Sequence, residues 1–223
     1  MEDNETKKLI WDFPLRIFHW LLVFSVFGSI LTGKFSNFQL HEKFGLNIIA
    51  LLIFRIIWGF IGGETSKFTY FVKGPKSVII SLNNIIYKNN TKYIGHSAIG
   101  GWATIVLLGF LFAISITGSF SSDDVLFDGP FLHFFPEISE IFTKTHNFIE
   151  PFLYILLFLH FSIMLVYYFW LKRNLVAPMI TGKSYEANFG IKKISIRKNI
   201  FGLTIMFLLI LLPQSSVLLR DNF

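Results

Sequence analysis

The chain has 223 residues, 53% of them hydrophobic and only 15% charged, against about 25% charged in an ordinary soluble domain. Its formal charge is +6, but the cations lie in the segments between long apolar blocks, a pattern of membrane orientation and not of a nucleic-acid-binding face. Cysteine is absent, which excludes disulfides, thiolate-ligated metals and cysteine-ligated iron–sulfur clusters.

A bilayer core of about 30 Å takes about 20 mostly apolar residues to cross as a helix. In chain order the blocks of that kind are residues 18–35, 46–61, 102–120, 148–171 and 200–219. The first lacks a small-residue cleavage site and is followed by Lys34, His41 and Lys43, so it reads as a retained helix. Residues 68–88 are not a further span, because they contain Lys73, Gly74, Pro75, Lys76, Asn83 and Asn84; residues 75–87 read as an amphipathic helix on the inner membrane face. Pro213 and Gln214 interrupt the last block, which is expected to cross as a fifth span and to put the C-terminus outside. No block alternates with a period of two, so none reads as a barrel strand. The expected fold class is therefore all-α, an integral membrane four-helix bundle with a fifth C-terminal helix.

Lysine and arginine set the orientation. Fifteen lie in three segments on one side: Lys7, Lys8 and Arg16; then Lys67, Lys73, Lys76, Lys88 and Lys92; then Lys172, Arg173, Lys183, Lys192, Lys193, Arg197 and Lys198. The opposite side has three, Lys34, Lys43 and Lys144. The rich side, with the N-terminus, is expected in the cytoplasm. The loop between the third and fourth spans then faces outward. It carries Asp123, Asp124, Asp128, Glu137 and Glu140, either a solvated acidic loop or a surface for a basic soluble partner.

An ionisable residue within a span is costly and marks a candidate functional site. His146 and His160 are 14 residues apart on the fourth span, so they differ by about 40° around the axis and lie about 21 Å apart along it. His19 sits in the cytoplasmic half of the first span, and His41 starts the second at the outer surface. Depth sorts the four into two pairs, His19 with His160 on the inner side and His41 with His146 on the outer. Two facing imidazoles across a bundle suit a planar metallocycle; a zinc would want three or four clustered ligands. Such a haem, with both axial positions filled, carries electrons and does not bind oxygen. Arg55, 14 residues after His41 on nearly the same face, wants an anion: a haem propionate, or lipid headgroups reached by snorkelling. Arg16, one turn before His19, has the same two readings. Gly28, Gly45, Gly100, Gly101 and Gly109 either make room for a cofactor or serve ordinary helix packing. Ser29-Ile30-Leu31-Thr32-Gly33 and Ser115-Ile116-Thr117-Gly118 form an internal echo at the ends of the first and third spans.

The run Trp11-Asp12-Phe13-Pro14-Leu15-Arg16-Ile17-Phe18-His19-Trp20 resembles the opening of the bacterial cytochrome b561 and nickel–iron hydrogenase b-type cytochrome family. So do His41-Glu42-Lys43-Phe44-Gly45, Phe54-Arg55-Ile56-Ile57-Trp58-Gly59, Gly95-His96-Ser97 with Gly100-Gly101-Trp102, and Thr117-Gly118. Asp123-Asp124, His146, His160, Asn174-Leu175 and Met179-Ile180-Thr181-Gly182 complete the resemblance, which runs over roughly residues 10–185. It implies a four-helix core with two haems b, ligated from the first, second and fourth spans, and electron exchange between a membrane quinone and a redox partner protein. In relatives that partner is a soluble c-type cytochrome or a hydrogenase or dehydrogenase subunit. Where relatives carry Asn-Pro after the histidine of the Gly-His motif, this chain has Ser97-Ala98. His96 is expected to hydrogen-bond a propionate or a quinone, and His133 to face the surface or a partner.

The expected organisation is a di-haem domain over residues 1–185, then a cytoplasmic linker and the additional helix over residues 186–223. The expected function is electron transfer across the bacterial inner membrane between the quinone pool and a redox partner, with lipid around the bundle and no nucleic acid. Three rivals fit less well. A stand-alone superoxide–quinone oxidoreductase would want a cationic outer entrance, a non-redox anchor subunit needs no paired histidines, and a proton transporter more often carries intramembrane carboxylates. Glu150 is too shallow to complete a relay.

Overall fold

The computed structural model describes residues 8–89, 95–122, 127–184 and 194–220. Lys7, Lys92, Asp123, Asp124, Lys192 and Lys193, which entered the charge argument, lie outside the described residues. Among the described residues, five helices are long and apolar enough to cross a membrane. They are α1 (Phe13–Lys34), α2 (Phe38–Ile61), α5 (Ala98–Ser119), α6 (Ser139–Phe169) and α8 (Ile196–Arg220); between them lie α3 (Phe68–Phe71), α4 (Pro75–Ile86) and α7 (Val176–Thr181). Strands β1 (Lys8–Leu9) and β2 (Lys183–Ser184) form one short antiparallel pair.

Local chemistry sets the helix starts. Asp12 caps α1 by accepting the Leu15 amide at 2.9 Å, and Pro14 sits in the first turn, where its missing N–H costs nothing. Asn37 caps α2 through the Leu40 amide, and Ser97 caps α5 through the Gly100 amide. Asn174 accepts the amides of Val176 and Ala177 at the start of α7, which closes on Gly182 with φ +78°.

The helix starts run ahead of the apolar blocks, furthest in α2, by eight residues, and in α6. α6 begins at Ser139, nine residues before the apolar block, because its polar first turns are tied down locally. Thr143 Oγ1 accepts the Ser122 amide at 3.0 Å and donates to the Ser122 carbonyl at 3.1 Å, and Lys144 pairs with Glu140. His146 thus lies two turns inside the helix instead of at its start. α8 starts at Ile196 and continues through Pro213 to Arg220. A proline removes one backbone donor and kinks a helix more readily than it ends one where neighbouring turns still pair.

The chain divides into two compact units. The first comprises Met1–Ile17, Ile56–Val106 and Leu157–Leu203. Its centre is the Asp12 carboxylate, which is 4% exposed. Besides the Leu15 amide it accepts Trp58 Nε1 at 3.0 and 3.2 Å, the Gly63 amide at 3.2 Å and Ser66 Oγ at 2.5 Å. Nearby, Thr65 Oγ1 donates to the Ile10 carbonyl, and Gly182 O accepts the amides of Ile10 and Trp11 at 2.7 and 3.2 Å. α8 packs here with Gly202 against the rings of Trp58 and Pro14, and Lys198 donates to the Gly62 carbonyl.

The amphipathic helix expected at residues 75–87 is α4, held at both ends by tryptophans of the spans. Trp102 Nε1 donates to the Lys73 carbonyl at 2.8 Å and Trp170 Nε1 to the Ile85 carbonyl at 3.2 Å. Ile79, Leu82 and Ile86 are left exposed along one stripe, with Lys76 beside it. An apolar face flanked by cations and interfacial tryptophans is the arrangement of a helix lying at a membrane surface.

The second unit comprises Phe18–Arg55, Leu107–Leu156 and Thr204–Phe223. α1 and α2 are joined by three residues, so α2 runs back beside the end of α1. Phe44 packs against Gly28 so closely that a Cβ there would collide with the ring.

Candidate functional site

His41 and His146 face each other in the second unit. Their ring centroids are 6.2 Å apart and their planes cross at 84°. Each ring is oriented through Nδ1. That of His41 lies 2.8 Å from the Ser29 carbonyl oxygen, and that of His146 lies 2.9 Å from the Ile114 carbonyl oxygen. A carbonyl only accepts, so Nδ1 carries the proton in both rings and Nε2 presents a lone pair. Ligating histidines are held in this way, with the second nitrogen donating to a carbonyl.

The two rings rest in equivalent cradles. On α1 the elements are the Ser29 carbonyl, Thr32 and Gly33; on α5 they are the Ile114 carbonyl, Thr117 and Gly118. Thr32 Oγ1 donates to the carbonyls of Gly28 and Ser29, and Thr117 Oγ1 to those of Ala113 and Ile114. A Cβ on Gly33 would sit 3.0 Å from His41 Nδ1, and one on Gly118 would sit 2.9 Å from His146 Cε1. The sequence echo is therefore structural, but its register runs through Thr-Gly, which matches Ser29 with Ile114 and not with Ser115.

Two imidazoles bound in line through Nε2 to one metal, at about 2 Å each, have centroids about 6 Å apart. The observed separation, the Nε2 lone pairs left over by the Nδ1 bonds and the glycines that let the rings approach α1 and α5 all fit a haem that the two histidines would hold between them. Among the described residues no cluster of three or more histidine, aspartate or glutamate side chains offers a metal site of another kind.

The other expected site residues are placed as follows. His19 lies on α1 in the second unit and His160 on α6 in the first, both half-buried. Arg55 is buried, 2% exposed, at the end of the second unit's part of α2. Arg16 donates Nη1 to the Ile180 carbonyl at 2.5 Å, and its buried Nε has no hydrogen-bond partner among the described residues. His96 stands just before α5 between two rings, 4.9 Å from Trp11 and 5.0 Å from Phe71. His133 is exposed. Of the five singled-out glycines, Gly28 and Gly101 mark close packing, the latter against the Phe71 backbone, while a Cβ at Gly45 or Gly109 would meet nothing within 4 Å. Sequence reasoning assigned no role to Asp12, Thr32, Gly33, Thr117 or Gly118; the repeated Thr-Gly was the one signal that pointed to the last four.

Fold and site together define a class, a helical membrane bundle that holds two imidazoles against each other with their Nε2 atoms free to ligate. The family model of prokaryotic cytochrome b561 matches residues 10–182, and the chain belongs to that family. Comparisons with curated proteins and with solved structures give no match. Family membership, with five helices long and apolar enough to cross a membrane among the described residues, makes the chain a multi-pass membrane b-type cytochrome of electron transfer, as the motif resemblance implied.

Proposed function

We propose that the chain carries two haems b and passes electrons across the inner membrane between the quinone pool and a redox partner protein. The observation that supports this best is the facing of His41 and His146 with both Nδ1 atoms bonded to backbone carbonyls. In this reading His41 and His146 ligate the outer iron, and His19 and His160 the inner one. The inner pair rests on depth along the helices and on the family pattern. When bound, each haem takes up and releases one electron without opening a coordination site. The protein holds His41 and His146 in one tautomer and surrounds them with apolar helices, and Arg16 and Arg55 are the cations that propionates would meet; the buried Nε of Arg16, without a hydrogen-bond partner among the described residues, suits that role. The N-terminus and the cation-rich segments face the cytoplasm, residues 1–185 bind the haems, and residues 186–223 add the linker and α8. The partner is a c-type cytochrome or a dehydrogenase or hydrogenase subunit.

The test is the dithionite-reduced optical spectrum of the protein purified in detergent, with haem quantification. Two non-covalent haems b per chain are expected; a sample that stays colourless after expression with ample haem supply overturns the reading. Two variants refine it. Gly118→Val is expected to push the His146 ring out of line and to lower haem content by about half, since overpacking a close contact forces such shifts; unchanged haem content would remove Gly118 from the cradle. His96→Ala is expected to leave both haems in place and to slow quinol-dependent haem reduction about tenfold, the scale of losing one hydrogen bond to a reacting group. Unchanged reduction kinetics would exclude His96 from quinone chemistry.

A further inference from the structure

The carbonyl that orients each imidazole is not dedicated to it. Ser29 O lies 2.8 Å from His41 Nδ1 and also accepts Thr32 Oγ1 at 3.2 Å. Ile114 O lies 2.9 Å from His146 Nδ1 and also accepts Thr117 Oγ1 at 3.0 Å. A carbonyl oxygen has two lone pairs, so a hydroxyl that shares it draws electron density from the bond to the histidine. A weaker Nδ1–H···O=C bond leaves the imidazole less electron-rich, and a less electron-rich ligand favours ferrous over ferric iron.

We infer that Thr32, with Thr117 as its counterpart, is a tuning residue that raises the reduction potential of the outer haem by sharing the carbonyl on which the axial histidine leans. This rests on the reading that His41 and His146 ligate a haem. Threonine hydroxyls inside helices often back-bond to the preceding turn with no further role. What separates this pair from that common case is that both hydroxyls reach the one carbonyl per helix that a histidine also uses, in the same register on two helices.

Thr32 gives the cleaner test. Thr117 Oγ1 also lies 3.3 Å from His146 Nδ1, so its loss removes a second acceptor together with a competing donor. At His41 that second contact comes from Ser29 Oγ, at 3.3 Å, so Thr32, whose hydroxyl proton is shared between the Gly28 carbonyl at 2.7 Å and the Ser29 carbonyl at 3.2 Å, reaches the ring only through the latter. Removing the Thr32 hydroxyl should strengthen the histidine–carbonyl bond and make the ferric state easier to keep.

The experiment is an optical redox titration of the full-length protein in detergent, with dithionite as reductant and ferricyanide as oxidant, fitted to two one-electron waves. In Thr32→Val one wave is expected to move negative, by about two- to fivefold in its reduction equilibrium constant, the scale of a modest change in one hydrogen bond. The other wave stays in place. Thr32→Ser, which restores the hydroxyl, returns the shifted wave to its original position. Thr32→Ala lacks the hydroxyl without adding a methyl and should shift as Val does. If Val or Ala keeps both haems and titrates with the parent, or if Ser shifts as far as they do, Thr32 has no tuning role. If the parent itself lacks haem b, the failure belongs to the proposed function.

Discussion

His146→Ala is expected to bring the haem content from two per chain to one and to halve the reduced-minus-oxidised absorbance. The argument rests on how the ring is held. His146 reaches into the site from α6, and His41 opposes it from α2 at 6.2 Å between centroids. A haem clasped between them is attached by coordination and packing alone, since no cysteine exists to anchor it covalently. If the pair ligates a haem as proposed, removing one imidazole deletes a ligand and opens a void beside Gly118, so the group would be held from one side and exposed to water from the other. His41→Ala should act in the same way, and the double variant should be no worse than either single one, because both remove the same group. His160→Ala should remove the other haem and spare this one. His133→Ala, at an exposed position, should change nothing. Haem quantification on purified protein decides the matter. Two haems retained in His146→Ala with the parent's spectrum would end the assignment of this pair.

The second large effect is on stability. Asp12→Asn is expected to cost about 3 kcal/mol, the scale of unsatisfied buried donors around a broken charged hub, and to lower the thermal midpoint by about 10 °C. The buried carboxylate accepts four donors, from Leu15, Trp58, Gly63 and Ser66. An asparagine offers one acceptor oxygen and turns an NH2 group toward donors that need acceptors. The hub also seats Trp58, against which Gly202 of α8 packs, so loosening it should loosen α8. Ser66→Ala removes one donor and leaves the rest, and should cost only about 1 kcal/mol. Thermal unfolding in detergent at a fixed scan rate measures both. Equal midpoints for Asp12→Asn and the parent would show that the cluster contributes little.

Much of this was legible in the residues because lipid is a demanding solvent. With no water to satisfy the backbone, a long apolar block has to be helical, and the blocks at residues 18–35, 46–61 and 102–120 correspond to α1, α2 and α5, whose starts lie five, eight and four residues earlier. α4 was legible from its proline start and its apolar stripe. The onset of α6 was not, because the turns before His146 are polar; they are helical through bonds to Ser122, which is 21 residues away from Thr143. The course of α8 through Pro213 was legible from the length of its apolar block, residues 200–219, although the proline interrupts it.

The candidate site divides in the same way. Ionisable side chains in apolar helices stand out, so His19, His41, His146, His160, Arg16 and Arg55 could be named from their positions alone. Their supports could not. Ser29 and Ile114 act through backbone carbonyls, which every residue carries, and Gly33 and Gly118 act through an absent Cβ. Asp12 looked like an ordinary residue of a motif, and only its four donors show it to be a hub. Trp11 and Phe71 gained meaning only when His96 was found between them.

By itself, then, the sequence determined that the chain is helical and membrane-embedded and which ionisable side chains are the candidates for its chemistry, because hydropathy, charge and helical periodicity are properties of the chain before it folds. Only the tertiary structure decided which nitrogen of His41 and His146 is free to ligate, how closely the rings approach α1 and α5, and what seats α1 against Trp58. Those depend on hydrogen bonds and contacts between residues 12 to 54 positions apart, and no local pattern records where such partners meet.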